Sequence, residues 1–568
     1  MIYVSEIAKL LEGVTPLSAN ELVELIAPAP SSEMGDWAFP CFRLSKAMKK
    51  SPGLIASDLT RELKTNKPEF IDKIEAVNGY VNFYLNRRAV VESVLTAVKE
   101  RGEGYGGSDA GAGKTILIDY SSPNIAKHFH VGHLGTTFIG HALYNILRFL
   151  GYHVVGINYL GDWGTQFGKL ITAYKHWGSK AEIEARGIDG LMDLYVKFHK
   201  EAESTPGLND EARAWMLKMQ DGDDESLNIW KWFVDLSLIE YERVYKRLNI
   251  TFDSYRGESY YNDKLDAVVS ELREKGLLTL SEGASIVDLS AYNMPPCLIL
   301  RGDGGSLYPT RDIATALERK QTYDFYKSLY VTGLEQNLHF AQWMKIVEMM
   351  GYDWAKDMIH IPYGLVVFEE GKKISSRGGN VIKMEDLLDK AAAKTLEIIN
   401  EKNPNLADKE TVAEQVGIGA VIFNQLYNNR IKDVQFSWDK MLNFDGETGP
   451  YAQYTSARAN SVLKKTPAAV YEMETDYSLL CDNYSYEVIK LLDLFPERIA
   501  EAGEKYEPFI ISRYLVSLAQ AFNKFYHNNI ILSDDLTLSA ARVNLTIRVR
   551  DILKRGLGLL GIAAPEEM

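Results

Sequence analysis

His130 and His133, in the run DYSSPNIAKHFHVGH at residues 119–133, follow an apolar, strand-like stretch at 115–120 and precede an amphipathic stretch at 134–150. At the start of a helix, backbone N–H groups and the helix dipole already favour phosphate oxygens, and two imidazoles there add hydrogen-bond donors. Gly132 between them carries no side chain, which lets a ligand lie against the backbone. A polar helix cap explains such a pair equally well, so the reading needs a second phosphate-binding group. One stands far downstream in EEGKKISSRGGNVI, residues 369–382, where Lys372, Lys373, Ser375, Ser376 and Arg377 crowd a loop punctuated by Gly371, Gly378 and Gly379. Taken alone that loop is a solvated turn; facing the histidines, it is able to close on a polyphosphate.

The elements that must hold these groups read as α/β. From residue 115 onward strand-like runs (ILIDY, HVVGINYL, SLYVTG, IHIPYGLVVF) alternate with helical patterns, the grammar of a Rossmann-like, doubly wound parallel sheet. Residues 181–245 turn helical, polar and rich in Trp and Lys, and read as a helical insertion at the sheet edge. The spacing predicts an N-terminal α/β domain over 1–107, a catalytic domain with insertions over 108–410, and an all-α bundle over 411–568. The turn-rich stretch at 101–115 marks the first boundary. Its Gly113-Lys114-Thr115 imitates the end of a phosphate loop, but Ser108 stands where the first glycine belongs and the stretch precedes a strand.

Composition limits the function classes. The chain has 568 residues, 46% hydrophobic and 25% charged, enough for several cores and without disordered or coiled-coil bias. Three scattered cysteines, Cys41, Cys297 and Cys481, argue against a disulfide framework and exclude a CxxC zinc pair. No run is long and apolar enough to span a bilayer, and the opening MIYVSEIAKLLEGV lacks the basic start and apolar stretch of a secretion signal, so a cytoplasmic protein is expected. A net charge of −14 opposes general nucleic-acid adhesion, so any RNA partner must meet a local basic face.

The paired motifs resemble the HIGH and KMSKS elements of class I aminoacyl-tRNA synthetases. Four further segments, SSPNIAKHFHVGH, LGDWGTQFGKL (160–170), YPTRD (308–312) and GPYAQYTSAR (449–458), narrow the resemblance to the arginyl-tRNA synthetase family. A guanidinium is planar and permanently charged, so carboxylates with an aromatic partner suit it. Tyr308 and Asp312, four apart at a helix start, present both kinds of group on one face.

The resemblance implies an arginine–tRNA ligase that uses ATP, with Mg²⁺ carried on it and no metal held by the protein itself. L-arginine and tRNA(Arg) would be its partners, and the chain a monomer that needs no membrane. It implies that Asp312, Glu258 and Tyr308 take the guanidinium, that Asn124 and Gln336 hold the α-amino group with Asp119 nearby, and that His130, Gly132, His133, Lys373, Ser375 and Ser376 hold ATP. Gly333 and Glu335 approach its ribose, and His339 starts the next helix. The same resemblance implies that Tyr451, Tyr454, Arg458, Tyr526 and Met568 face the anticodon loop, and Tyr80 and Asn82 the tRNA body. The helix near 541–555, with Arg542, Arg548, Arg550, Lys554 and Arg555, is a candidate backbone-contacting face.

Two departures matter. Ser376 occupies the place of a second lysine in the class motif; relatives with that loss carry a lysine just before the histidine element, where Lys127 stands. Gly135 and His141 replace an arginine and an aspartate that follow that element in many relatives. Two other readings compete with an active ligase. A catalytically dead tRNA-binding paralogue would have lost ATP or arginine groups, and a small nucleotidyltransferase would lack the helical C-terminal part.

Overall fold

The computed structural model describes residues 2–302, 304–368 and 382–568. The loop carrying Lys373, Ser375 and Ser376 therefore lies outside the described residues. The N-terminal region pairs helices Ile2–Glu12, Pro52–Thr65 and Arg87–Arg101 with an antiparallel sheet in the order Ala27–Pro28, Trp37–Pro40, Tyr80–Leu85, Ile71–Val77. Asn78 and Gly79, both at positive φ (49° and 84°), close the tight hairpin between its last two strands in space, as Asn-Gly pairs do.

The second sheet is parallel throughout, in the order Met358–Tyr363, Lys327–Gly333, Thr115–Asp119, His153–Ile157. From Thr115–Asp119 the chain winds first to one side and later to the other, so the carboxyl ends of Thr115–Asp119 and Lys327–Gly333 flank the point where the winding reverses. In open α/β sheets that crevice is where ligands bind. The expected run IHIPYGLVVF is split: its end, Val366–Phe368, leaves the sheet and pairs in parallel with Val434–Phe436. The break falls at Gly364, whose N–H donates to the Arg430 carbonyl and whose Cα lies so close to Lys432 that a Cβ would come within 2.6 Å of its carbonyl oxygen. An antiparallel sheet of Leu278–Ser281, Ala284–Val287 and Cys297–Leu300, which the sequence reading did not separate, is inserted before the third parallel strand.

The helical insertion comprises Lys180–Arg186, Ile188–Ser204, Gly207–Gln220 and Asp224–Arg247. The C-terminal part is helical from Met384–Lys402 to Leu536–Leu559. The glycine-rich connection after residue 101 is packed: Tyr105 is buried and donates to the Leu492 carbonyl (3.0 Å), and Arg555 donates to the Tyr105 carbonyl. Lys114 of the false phosphate loop bonds the Ala110 carbonyl and lies over the Tyr326 ring.

Helix Leu134–Phe149 lies against Tyr120, which follows the first parallel strand, through Gly140; a Cβ there would sit 2.3 Å from Tyr120 Cβ and Cγ. Gly135 admits the Tyr363 ring in the same way, so the space of the side chain missing at 135 is filled by Tyr363. Gly140→Ala should cost about 1–3 kcal/mol from overpacking, despite alanine's better helix propensity. A lowered thermal midpoint is the expected readout, and an unchanged one would mean that the helix slides free of Tyr120.

Candidate active site

The histidine element forms a single 3₁₀ turn, Val131–His133, ahead of helix Leu134–Phe149. The two rings cap it. Gly132 N–H donates to His130 Nδ1 (3.0 Å), and His130 N–H lies 3.2 Å from His133 Nδ1. The capping role and the ligand role are compatible, because accepting at Nδ1 leaves the His130 proton on Nε2, pointing away from the backbone. Burial, then the charges of Lys127 and His128, lowers the His130 imidazole below its usual range, and burial takes His133 down to about 3. Both rings are therefore neutral donors near pH 7. Gly132 also leaves room for its neighbour: a Cβ there would lie 2.6 Å from Cε1 of the His130 ring folded over it.

A cavity of about 590 Å³ opens at the reversal point of the sheet. It gathers Asp119, Asn124, His133, Glu258, Tyr308, Asp312, Gly333, Glu335, Gln336 and His339 from segments spread over two hundred residues of chain. Tyr308 and Asp312 come from the first turns of helix Tyr308–Tyr323, with Tyr308 largely exposed at the mouth. Asp312 Oδ2 is bound by His339 Nε2 at 2.6 Å. Glu258 Oε2 accepts from Arg311 Nη1 at 3.3 Å, and Arg311 is itself tied to Asn262 Oδ1. Neither Glu258 Oε1 nor Asp312 Oδ1 receives a hydrogen bond among the described residues.

The segment LGDWG, whose purpose the sequence did not disclose, builds this wall. Gly161 pairs with Asn124, and a Cβ there would strike Asn124 Oδ1 at 2.2 Å. Buried Asp162 accepts from the backbone N–H and the hydroxyl of Ser259, fixing the turn that starts at Glu258. Behind the cavity lies Arg319, which the sequence analysis passed over. It is 1% exposed; its Nη2 is 2.8 Å from Asp119 Oδ2, and its guanidinium lies against the Tyr159 and Tyr330 rings. Asp119 also accepts from Ser122 Oγ (2.9 Å).

Lys127, His130 and Gly132 are not in the lining of that cavity; they stand on the adjoining loop and turn, with Lys127 exposed. No described helix is long and apolar enough to cross a membrane.

A second cluster forms in the C-terminal bundle. The Arg458 guanidinium lies over the Tyr454 ring (4.8 Å) and the Tyr526 ring (5.2 Å) and donates to Asn523 Oδ1. Asn523, also unforeseen, donates to Tyr451 Oη and Thr455 Oγ1 at 3.0 Å each. Met568 packs with Phe444 on a small core around Ile399 and Leu406, and Phe444 meets Tyr454 edge-on. The structure thus brings Tyr451, Tyr454, Arg458 and Tyr526 together, with Met568 alongside. Two expectations are corrected. Asn82 is 4% exposed in mid-strand between Ala38 and Glu75, so only Tyr80, at the hairpin end beside exposed Phe42, presents its side chain. In helix Leu536–Leu559, Arg542 is bound to the Ile530 carbonyl and Asn529, Arg550 to Asp551 and Arg555 to the Tyr105 carbonyl, so three of the five basic groups of the expected face are engaged within the protein.

Comparison with known proteins covers the whole chain. Residues 94–438 match the model of the class I tRNA synthetase (R) catalytic domain, 452–568 the DALR anticodon binding domain, and 3–85 the arginyl tRNA synthetase N-terminal domain. The arginine–tRNA ligase of Alkaliphilus metalliredigens is 52% identical, covering 98% of this chain and 97% of the relative. That of Halothermothrix orenii is 50% identical, covering 98% of each. Among solved structures, Thermus thermophilus arginyl-tRNA synthetase superposes with a TM-score of 0.83 at 25% identity, over 100% of this chain and 99% of that one.

Burial, followed by the opposing pull of Arg311 and the push of Asp162 and Asp312, raises the Glu258 carboxyl to about 7. Below that pH the group is protonated and neutral; above it, it is an anion fit for a guanidinium. On the expectation that Glu258 meets the guanidinium, the KM for L-arginine should fall as pH rises from about 6 to 8, with proton release on binding. Glu258→Gln should give a raised and flat profile; a flat profile in the unmodified protein would show Glu258 already ionised throughout that range.

Proposed function

The chain belongs to the arginyl-tRNA synthetase family, and on that premise we propose how its side chains divide the work. The reaction is that of an arginine–tRNA ligase: ATP and L-arginine give arginyl-adenylate and pyrophosphate, and the arginyl group passes to the 3′ end of tRNA(Arg), releasing AMP. The carrying observation for the site is the convergence of two carboxylates, Asp312 and Glu258, each with one oxygen that receives no hydrogen bond among the described residues, in a cavity that also takes in His133.

In this assignment the guanidinium of arginine lies between Asp312 and Glu258 with Tyr308 over it. His339 and Arg311 hold the far oxygen of each carboxylate, so the geometry is set before the ligand arrives. Asn124 and Gln336 take the α-amino group, and Asp119 supplies negative charge behind them. The arginine carboxylate oxygen attacks the α-phosphorus, the bond to the bridging oxygen breaks, and pyrophosphate leaves with its electron pair. No side chain forms a covalent bond. His130 Nε2–H and His133 donate to phosphate oxygens as charge builds there, with Gly333 and Glu335 beside the ribose. Lys127 supplies the charge that Ser376 does not, and Lys373 and Ser375 complete the ATP contacts. Mg²⁺ travels with the nucleotide and neutralises the pyrophosphate. Among the described residues no set of three or more His, Cys, Asp or Glu side chains is placed to hold a metal ion.

The aromatic cluster of Tyr451, Tyr454 and Tyr526 around Arg458, with Met568 beside it, receives unstacked anticodon bases, and Tyr80 touches the tRNA body. We assign the protein to the cytoplasm, acting as a monomer.

Arginine-dependent ATP–pyrophosphate exchange tests the reading, with activity expected when tRNA(Arg) is present. Exchange absent with and without tRNA would instead identify a tRNA-binding paralogue. Asp312→Ala should abolish exchange while leaving the thermal midpoint near its original value. Lys127→Met should lower adenylate formation about 100-fold or more, the scale of losing one charge-stabilising donor. A mild, salt-like effect of Lys127→Met would return that residue to the solvent.

A further inference from the structure

The loop that carries Asn124 and Lys127 is backbone held against its own preference. Ser121 (φ 71°), Ser122 (φ 48°) and Ala126 (φ 61°) all occupy the left-handed region, and none is glycine. Such a shape persists only where its surroundings over-determine it. Thr136 and Asn158 hold the Ser121 and Ser122 N–H groups, and the rest of the support comes from one face of helix Asp224–Arg247, on which Ser237, Tyr241 and Tyr245 follow one another at four-residue spacing. Ser237 Oγ accepts the Ala126 N–H at 3.0 Å, directly at one strained residue. The Tyr245 hydroxyl meets Ser121 Oγ at 2.7 Å, at another. Between them, the Tyr241 hydroxyl lies 2.7 Å from the Asn124 carbonyl oxygen and 2.6 Å from that of Lys127.

We propose that Tyr241 is a positioning residue for adenylate formation: its hydroxyl gathers the Asn124 and Lys127 carbonyls and so fixes where the Asn124 amide and the Lys127 ammonium meet the substrates. The inference rests on the reading above that those two side chains face arginine and ATP. Tyr241 is fully buried, and its ring already packs against Phe129 beside the histidine element. Packing alone calls for phenylalanine there, because a buried hydroxyl must be matched by an acceptor. Here it meets two acceptors with one proton, and the two carbonyls belong to the residues on either side of Ile125 and strained Ala126. The sharing draws the ends of that short arc toward one point. The same helix also reaches the opposite wall of the arginine cavity, where Trp230 Nε1 donates to the Asp162 carbonyl at 2.6 Å. One rigid element therefore sets both the Asn124 side and the Glu258 side.

The test uses the full-length protein with tRNA(Arg), comparing Tyr241→Phe with Tyr514→Phe. Tyr514 is a buried tyrosine whose hydroxyl donates to the Leu491 carbonyl at 2.8 Å in the C-terminal bundle, far from this loop in sequence. Both variants keep the ring and lose one buried hydroxyl–carbonyl bond, so similar small drops in thermal midpoint are expected. Only Tyr241→Phe should slow single-turnover adenylate formation, by about 10-fold or more, the scale of sub-ångström to ångström misplacement of a catalytic group. Its affinity for tRNA should stay unchanged. Introducing Tyr241→Phe into a Lys127→Met background should cost less than in the unmodified protein, because part of what it positions is already gone. Normal adenylate formation by Tyr241→Phe, or a loss matched by Tyr514→Phe, overturns the inference. If Lys127→Met and Asn124→Ala are themselves without effect, the underlying assignment fails. If they impair the reaction and Tyr241→Phe does not, the failure belongs to the positioning role alone.

Discussion

The ion pair between Asp119 and Arg319 is the interaction on which the cleft depends. Both charges are withdrawn from water, with the guanidinium walled in by Tyr159 and Tyr330. Burial pushes the Asp119 carboxyl upward while Arg319 draws it back, and the carboxylate in turn holds the guanidinium protonated. Removing either partner leaves a lone buried charge, a loss of about 3–5 kcal/mol. The pair joins the end of strand Thr115–Asp119 to helix Tyr308–Tyr323, which leads into the neighbouring strand Lys327–Gly333. It thereby fixes the helix that offers Tyr308 and Asp312 relative to the strand end that offers the loop to Asn124.

The electrostatics of the cleft follow from its ligand being a cation at two ends. Three carboxylates of the cavity already have a basic neighbour: Asp119 has Arg319, Asp312 has His339 and Glu258 has Arg311. A pocket of bare buried carboxylates would protonate and lose its attraction. Arg311 opposes the effect of burial on Glu258, and among the described residues one oxygen each on Asp312 and Glu258 is left without a hydrogen bond. The His130–His133 pair solves the opposite problem: both rings are kept neutral, so they donate without adding cations next to Lys127.

Residues legible in the sequence are those whose role is local. Tyr308 and Asp312 announce themselves by spacing within one helix start, and His130 and His133 by their place between a strand and a helix. Tyr451, Tyr454 and Arg458 were singled out by resemblance, and their spacing places them on one helical face. The domain grammar was readable for the same reason, since period and punctuation are local. Arg319 and Tyr241 carry no such mark. Each looks like an ordinary helical residue until its partner, Asp119 in one case and the Asn124 and Lys127 carbonyls in the other, is brought to it from far away in the chain. Gly132 and Gly161 were visible as glycines, but the ring and the amide that exclude a Cβ at each are tertiary facts. Asn82 was misplaced because a strand residue's outward or inward sense depends on what covers the sheet, and nothing in NGYVNFYL states that.

The clamp on the 120–130 loop also orders events in time. Asn124 and Tyr241 are 117 residues apart, so during synthesis the loop emerges well before the helix that shapes it. Its left-handed residues have nothing to hold them until the insertion has been made and has docked, and contacts of such separation form late. The nascent chain therefore carries its histidine element before the helix that shapes its substrate loop. Truncated products ending inside the insertion would bear the histidine element and still lack the helix face that shapes the loop before it.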